Sequence, residues 1–450
     1  MTRPNVGENS CQSRLKQYLM TYTKARDRSS PDPNPASQPS DMPKLELDNL
    51  PSDVITDILC QLPVKTLLRF RCASKRWRSE IDSPDFIKLY LSHSLATKSN
   101  LSLILQRWSD LYSVEFDSVR AATELINPPL KDEICTGVSL SCNGLVAVWK
   151  NYRQDQELAL WNPSTRKHQI LPVMPVEAPK GSTLTTFYGF GHDPISDDYK
   201  VVRMVQFDGD HHGSVQVRVY SLKTNSWRGM KDDAIPYFVH NLFPYGRGCG
   251  ALASGALHWV APGESGGCCV IVAFDLGVEE FRIVPQPDGV DSGSKVDVVV
   301  LEGRLCMLCN YDSGCVDVWV MKEYGLKESW TKVFEVSRDC FDVCSQSSFN
   351  RNFGQVKPLA YSKSGDKILL EVDMDKLLWY DFRRKRAERV RIEGAPIPFS
   401  ADVYVESLVP LGGGGGMDRK TQQPPEEKKK SKRKKIMDDF LSKYFNKLTL

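Results

Sequence analysis

Two short patterns recur along most of this 450-residue chain, and their spacing restricts the fold more than any other feature. One is a turn followed by a short apolar run: Asn143-Gly144-Leu145-Val146-Ala147-Val148, Asp198-Tyr199-Lys200-Val201-Val202, Gly255-Ala256-Leu257-His258-Trp259-Val260, Glu302-Gly303-Arg304-Leu305-Cys306-Met307 and Gly365-Asp366-Lys367-Ile368-Leu369-Leu370. The other is a strand, a polar turn and a second strand: LYSVEFDSVRAATEL (111–125), LWNPSTRKHQIL (160–171), VYSLKTNSWRGM (219–230), FDLGVEEFRIV (274–284), VWVMKEYGLKESWTKV (318–333) and WYDFRRKRAERVRI (379–392). Copies of the second pattern start 49, 59, 55, 44 and 61 residues apart. Short alternating runs bounded by Gly, Asn, Asp and Pro are strands. A period near 50 with about four strands per unit is that of kelch-like propeller blades. Residues 100–410 are therefore expected to form an all-β propeller of about six blades, with a last strand (Asp402 to Val409) returning to complete the first. A seven-bladed ring and an irregular β-sandwich remain open.

Ahead of this lies a stretch with a different period. Leu50 to Trp77 places 14 apolar residues among 28, at helical spacing: Val54, Ile55, Ile58, Leu59, Leu62, then Val64, Leu67, Leu68, Phe70 and Cys72. Pro51 and Pro63 stand where helices begin, since their fixed φ suits a first turn and the missing N–H is not needed there. The spacing predicts two or three short helices. Asp85 to Leu91 adds one more, ending near His93. A unit of about 50 residues rarely makes a self-sufficient core, so part of this apolar face should meet a partner. Lys65, Arg69, Arg71, Lys75, Arg76 and Arg78 make its polar side basic.

The flanks differ from both. SSPDPNPASQPSDMP (29–43) cannot pack, and 1–43 is expected to be a disordered leader. GGGGG at 412–416 opens a flexible basic linker, 411–435, followed by an amphipathic helix at 436–450 with Ile436, Phe440, Tyr444, Phe445 and Leu448 on one face. Net charge is +3, but 418–450 carries 11 Lys/Arg against 5 Asp/Glu, leaving 48 against 51 elsewhere. The body is slightly acidic, which argues against a nucleic-acid groove. Lys428, Lys429, Lys430, Lys432, Arg433, Lys434 and Lys435 form a candidate nuclear-localisation run, with a solvated tail as the other reading. No apolar run approaches the roughly 18–20 residues of a membrane span, and no secretory h-region is present. The expected location is cytoplasmic and nuclear, with no integral membrane association.

Chemistry-bearing motifs are few. Cys306 and Cys309 have metal-ligand spacing, but residues three apart on a strand face opposite sides, and no second pair completes a zinc site. Cys340 with Cys344, Cys268-Cys269 and Asp210-His211-His212 are weaker still. Asp193, Asp197 and Asp198 read as a turn between strands. No catalytic residue, metal or cofactor is expected. Rim loops are the default binding surface of such a ring, with the stretch Tyr237-Phe238-Val239-His240-Asn241-Leu242-Phe243 a candidate among them.

The helical stretch (44–93) resembles an F-box, the module that docks substrate receptors onto the Skp1-type adaptor of a ubiquitin ligase and through it onto cullin 1. The match rests on Leu50-Pro51, Ile55, Leu59, Leu62-Pro63, Leu67-Leu68 and Ala73-Ser74-Lys75-Arg76-Trp77, departing at Ser74, where many members have Cys. It implies adaptor contacts drawn from Leu50, Pro51, Ile55, Leu59, Leu62, Pro63, Leu67, Leu68, Cys72 and Trp77. Some of these must hold the helices together instead. The strand region resembles the plant F-box-associated interaction domain in CNGLVAVW, LWNPSTRKHQILP, YGFGHDPISDDYKVVRM, VYSLKTNSW, GALHWV and FDLGVEEFRIVP. DDYKVVRMVQF, VDVWVMKEYGLKESWTKVF and the terminal DDFLSK are similar to a branch of that family. That likeness implies a non-catalytic substrate receptor that restrains plant defence by turning over intracellular immune receptors of the nucleotide-binding, leucine-rich-repeat (NLR) class; the other readings of the residues are a non-ligase protein-interaction scaffold and a propeller that binds a small molecule or glycan. The leader at 1–43 departs from the family, whose members start close to the F-box.

Overall fold

The computed structural model describes residues 52–411, apart from 73, 126, 131–135, 153–154, 177–182, 209–213, 243–247, 264–268, 291–293, 312 and 338–355. The expected leader, linker and terminal helix lie outside these residues, as do the nuclear-localisation run, Leu50, Pro51, Cys268, Cys340, Cys344 and Asp210-His211-His212. The chain divides into two units, 1–63 and 64–450. In the first, α1 (Ser52–Cys60) buries Ile55, Leu59 and Cys60. In the second, α2 (Val64–Arg71), α3 (Lys75–Ile81) and α4 (Pro84–Thr97) precede the strands.

Local chemistry sets these helix ends. Ser74 accepts from the Arg76 N–H at 3.2 Å, and Ser83 accepts from the Phe86 N–H at 3.2 Å with Pro84 in the first turn. Phe70 and Trp77 meet with ring centroids 5.9 Å apart, joining α2 to α3. α4 runs four residues past the expected end at His93. Ser94 is fully buried there and accepts from Asn100 Nδ2 at 2.9 Å, and Lys98 ends the helix in the left-handed region (φ 53°).

The strands make six four-stranded antiparallel sheets. Blade 1 holds β1 (Leu101–Arg107), β2 (Asp110–Glu115) and β3 (Ala122–Glu124); blade 2 holds β4 (Thr136–Cys142), β5 (Leu145–Tyr152), β6 (Asp155–Asn162) and β7 (Lys167–Ile170). Blade 3 is β8 (Thr183–Asp193), β9 (Asp198–Asp208), β10 (Ser214–Ser221) and β11 (Ser226–Gly229). Blade 4 is β12 (Ala251–Ala253), β13 (Ala256–Ala261), β14 (Val270–Asp275) and β15 (Phe281–Val284). Blade 5 is β16 (Lys295–Leu301), β17 (Arg304–Asn310), β18 (Cys315–Met321) and β19 (Trp330–Ser337); blade 6 is β20 (Val356–Tyr361), β21 (Lys367–Val372), β22 (Lys376–Asp381) and β23 (Arg386–Val390). The innermost strand of blade 1 is β24 (Ser400–Val405), paired antiparallel with β1 from Leu101↔Val405 to Gln106↔Ser400. The ring thus closes with six blades, and the seven-bladed and sandwich alternatives are set aside. The returning strand starts two residues earlier than expected and ends four earlier.

Each blade interface has its own apolar core, because the second strand of a blade gives alternate side chains to its two neighbours. On β17, Cys306 and Leu308 face blade 6, whereas Leu305, Met307 and Cys309 face blade 4. The two thiols therefore diverge, and burial pushes each up to about 12. The run 406–411 is pinned to blade 2 by buried Asn162, whose Nδ2 donates to the Ser407 and Val409 carbonyls at 3.2 and 3.0 Å. Gly144, at φ 82°, leaves room for this crossing. A Cβ there would stand 2.6 Å from the Val405 carbonyl oxygen and run into Ser407.

Blades 4 and 5 are tied by a buried histidine. His258 Nδ1 faces the Ala251 carbonyl at 2.9 Å and so carries the proton, while Nε2 accepts from the Tyr324 hydroxyl at 2.7 Å. Desolvation is the main cause that holds its pKa down from 6.5 to about 4. A folded-state value below the unfolded one means stability is present above pH 6.5 and drains as pH falls toward 4, by about 3 kcal/mol from this residue. His258→Gln should remove that pH slope in denaturant titrations. An unchanged slope would assign it to other groups.

Candidate functional site

In a four-stranded blade the first-to-second strand turns and the third-to-fourth turns lie on one rim. Links between blades emerge on the other. The first rim carries short turns: 143–144, 194–197, 254–255, 302–303 and 362–366. Two of these hold α4. Lys88 Nζ reaches Asp197 at 2.8 Å on blade 3, and Lys98 pairs with Glu302 on blade 5. Ile87 and Leu91 pack into the core shared by blades 2 and 3, which also takes Val409 and Leu411. α4 is thus fastened to the short-turn rim at several points. Exposed pairs of this kind are weak singly, so the apolar contacts carry most of the attachment.

The acidic cluster is a turn, as its residue types indicate. Asp193 Oδ1 accepts from the Ile195 N–H and Oδ2 from Lys200 Nζ, both at 2.9 Å. Burial raises its pKa, but these bonds and one from Ser196 outweigh it and bring the carboxyl to about 2. Lys200 Nζ also meets Glu279 at 2.9 Å, tying blade 3 to blade 4. The arrangement is structural, with every charge occupied.

On the helices, burial divides the expected adaptor-contact set. Ile55, Leu59, Leu62, Leu67 and Trp77 are all 7% exposed or less. Leu68 is half-buried, while Pro63 and Cys72 are exposed. On α2 and just beyond it, Lys65, Leu68, Arg69 and Cys72 follow one another at helical spacing. They form a stripe opposite buried Val64, Leu67 and Phe70. The apolar excess read from the sequence is therefore largely consumed internally, and the accessible remainder is mixed with cations.

The opposite rim carries the links between blades, whose described parts include 171–176, 230–242, 285–290 and 391–399. The stretch 237–243 lies in one of them. Tyr237 is 61% exposed, but Val239 and Leu242 are buried in the core between blades 3 and 4, and Gln206 Nε2 donates to the Val239 carbonyl at 3.1 Å. Two residues of this candidate loop thus plug a core; Phe243 lies outside the described residues. Spacing did not reveal two other exposed apolar residues on this rim. Trp108 (φ 52°) and Met374 (φ 54°) both adopt the left-handed region that bulky side chains avoid.

Comparison with known proteins agrees with this architecture. Residues 113–406 match the F-box associated beta propeller domain, and 47–89 match the F-box domain. The chain is 40% identical to F-box protein CPR1 of Arabidopsis thaliana over 378 residues, covering 80% of this chain and 88% of that protein. It is 31% identical to F-box/kelch-repeat protein At3g23880 of the same plant over 308 residues, covering 64% and 79%. Four N-terminal helices, a six-bladed ring and these matches converge: the chain belongs to the F-box proteins that carry an F-box-associated β-propeller domain.

Proposed function

We propose that this chain is the substrate-receptor subunit of a Skp1–cullin–F-box ubiquitin ligase. The observation that carries the reading is the attachment of α4 to the short-turn rim, which leaves the rim with the long links facing away from it. One end would hold a Skp1-type adaptor, and through it cullin 1, while the free rim would grip a protein substrate. The receptor's contribution is positional: holding a target near a charged conjugating enzyme converts a bimolecular transfer into a nearly intramolecular one. No residue of this chain is assigned a catalytic role.

The resemblance in DDYKVVRMVQF and VDVWVMKEYGLKESWTKVF supports NLR-class immune receptors as substrates, with degradation restraining plant defence. A cytoplasmic and nuclear location belongs to the same reading, with 428–435 as its import signal. Deleting that run should lower the nuclear fraction, and an unaltered distribution would count against it. Co-purification with a Skp1-type adaptor tests the core of the proposal. The full chain should capture the adaptor and a chain lacking 45–93 should not. Capture by the deleted chain would make the helices part of a different kind of scaffold.

A further inference from the structure

Two cations on β9 are buried, and they are treated differently. Lys200 is neutralised by Asp193 and Glu279, each at 2.9 Å. Three residues on, Arg203 is 1% exposed, and its Nε has no hydrogen-bond partner. Its Nη2 donates to the Met174 carbonyl at 3.0 Å, in the link between blades 2 and 3, and its guanidinium lies 5.6 Å from the centre of the Trp227 ring. That ring is fixed in turn by its own N–H, which donates to the Pro172 carbonyl at 2.9 Å. Directly opposite Arg203 in register stand Tyr188 on β8, which packs on Trp149 of blade 2 with ring centres 5.2 Å apart, and Arg218 on β10. Arg218 is half-buried, and its guanidinium lies across Gly229 of β11, where a Cβ would collide with it. Among the described residues no carboxylate pairs with either arginine. Burial first, and then the charge of Arg218, lower the pKa of Arg203.

We infer that Arg203 and Arg218 hold a small oxyanion of the phosphate or carboxylate class between blades 2 and 3. The arrangement is unfavourable without one. A buried charge with an idle donor is costly, and like charges directly opposite in a sheet repel. A water molecule would satisfy the donor and leave both charges uncompensated. One oxyanion answers both, since the planar fork of a guanidinium matches a pair of anionic oxygens and Nε is the donor left over for it. Half-buried Arg218 gives the pair its opening to solvent. The site belongs to the ring and stands apart from the receptor reading. Sequence position hid it, because VVRMV reads as a lone cation in a buried strand and the register with Arg218 is set by pairing.

The test is thermal unfolding and calorimetric titration of the full chain with inorganic phosphate, acetate and a short phosphoserine peptide, against chloride at equal ionic strength. At least one of the three should bind saturably and raise the unfolding temperature by about 2–4 °C. Arg203→Met and Arg218→Gln should each lose that saturable rise. Phosphate also strengthens apolar burial in general, but that rise does not saturate and would persist in both variants. Without an added oxyanion, Arg203→Met should unfold at or above the wild-type temperature, because an unpaired buried charge has been removed. With the anion saturating, the order should reverse. Should Arg203→Met fail to fold, Arg218→Gln carries the test, since its side chain is half-exposed. Tighter binding of the phosphopeptide than of inorganic phosphate would place the group on a partner protein, and the opposite order would make it a free ion. No saturable response to any of the three, or an equal response in wild type and Arg218→Gln, would overturn the inference. So would an Arg203→Met deficit of the same size with and without the anion, since the guanidinium would then act through Met174 and Trp227 alone.

Discussion

Leu68→Glu is expected to abolish adaptor capture while leaving the fold intact, and Leu67→Ala to do nearly the reverse. The two residues are neighbours on α2 with opposite environments. Leu67 is fully buried beside Val64 and Phe70, whereas Leu68 is half-buried on the stripe with Lys65, Arg69 and Cys72. Truncating Leu67 leaves a cavity among close-packed side chains and should cost about 2–5 kcal/mol of helix-module stability. A carboxylate at Leu68 exchanges apolar contact for a charge that must be desolvated in the complex. A loss of about 2–4 kcal/mol there corresponds to roughly 30- to 1,000-fold weaker capture. Circular dichroism and adaptor pull-down on both variants separate the effects. Full capture by Leu68→Glu would move the docking surface to another face.

The second large effect concerns closure of the ring. A chain ended after Phe399 should fail to give a cooperative propeller, whereas one ended after Leu411 should unfold like the full chain. β24 supplies the innermost strand of blade 1, and the residues after it bury Leu408, Val409 and Leu411 alongside Tyr404 and Val405 of the strand. At roughly 1.5–3 kcal/mol for each fully buried large apolar side chain, these five residues together match the 5–15 kcal/mol of net stability usual for a domain. Their loss also bares the hydrogen-bonding edge of β1, a template for aggregation. Calorimetry and light scattering of the two truncations read the difference. A monomeric, cooperatively unfolding chain ending at Phe399 would contradict the closure described.

The ring was legible in the sequence because its signals are local. The apolar runs starting at Leu145, Val201, Leu257, Leu305 and Ile368 are second strands, buried on both faces, and each hairpin copy is a third and fourth strand with its polar turn. The divergence of Cys306 and Cys309 followed from strand period alone. What stayed hidden depends on contacts between distant residues. No periodicity could show that α4 continues past His93, since Ser94 is buried only through Asn100 and its surroundings. Nor could it show that Val239 and Leu242 plug a core, or that His258 meets Tyr324 across blades. On the helices, spacing identified an apolar set but not its sides. Leu67 and Leu68 are alike in the sequence, yet one is fully buried and the other only half-buried on a face it shares with Lys65 and Arg69.

The central claim is that one chain holds a ligase adaptor with its helices and a substrate with the far rim of its ring. Proximity labelling in cells treated with a proteasome inhibitor tests it most directly, comparing the full chain with one lacking 45–93. Both should label the same target proteins, but only the full chain should label the adaptor and shorten the targets' half-lives once the inhibitor is removed. If the deleted chain labels different proteins, or the targets turn over equally fast with either chain, the bridge does not exist as described.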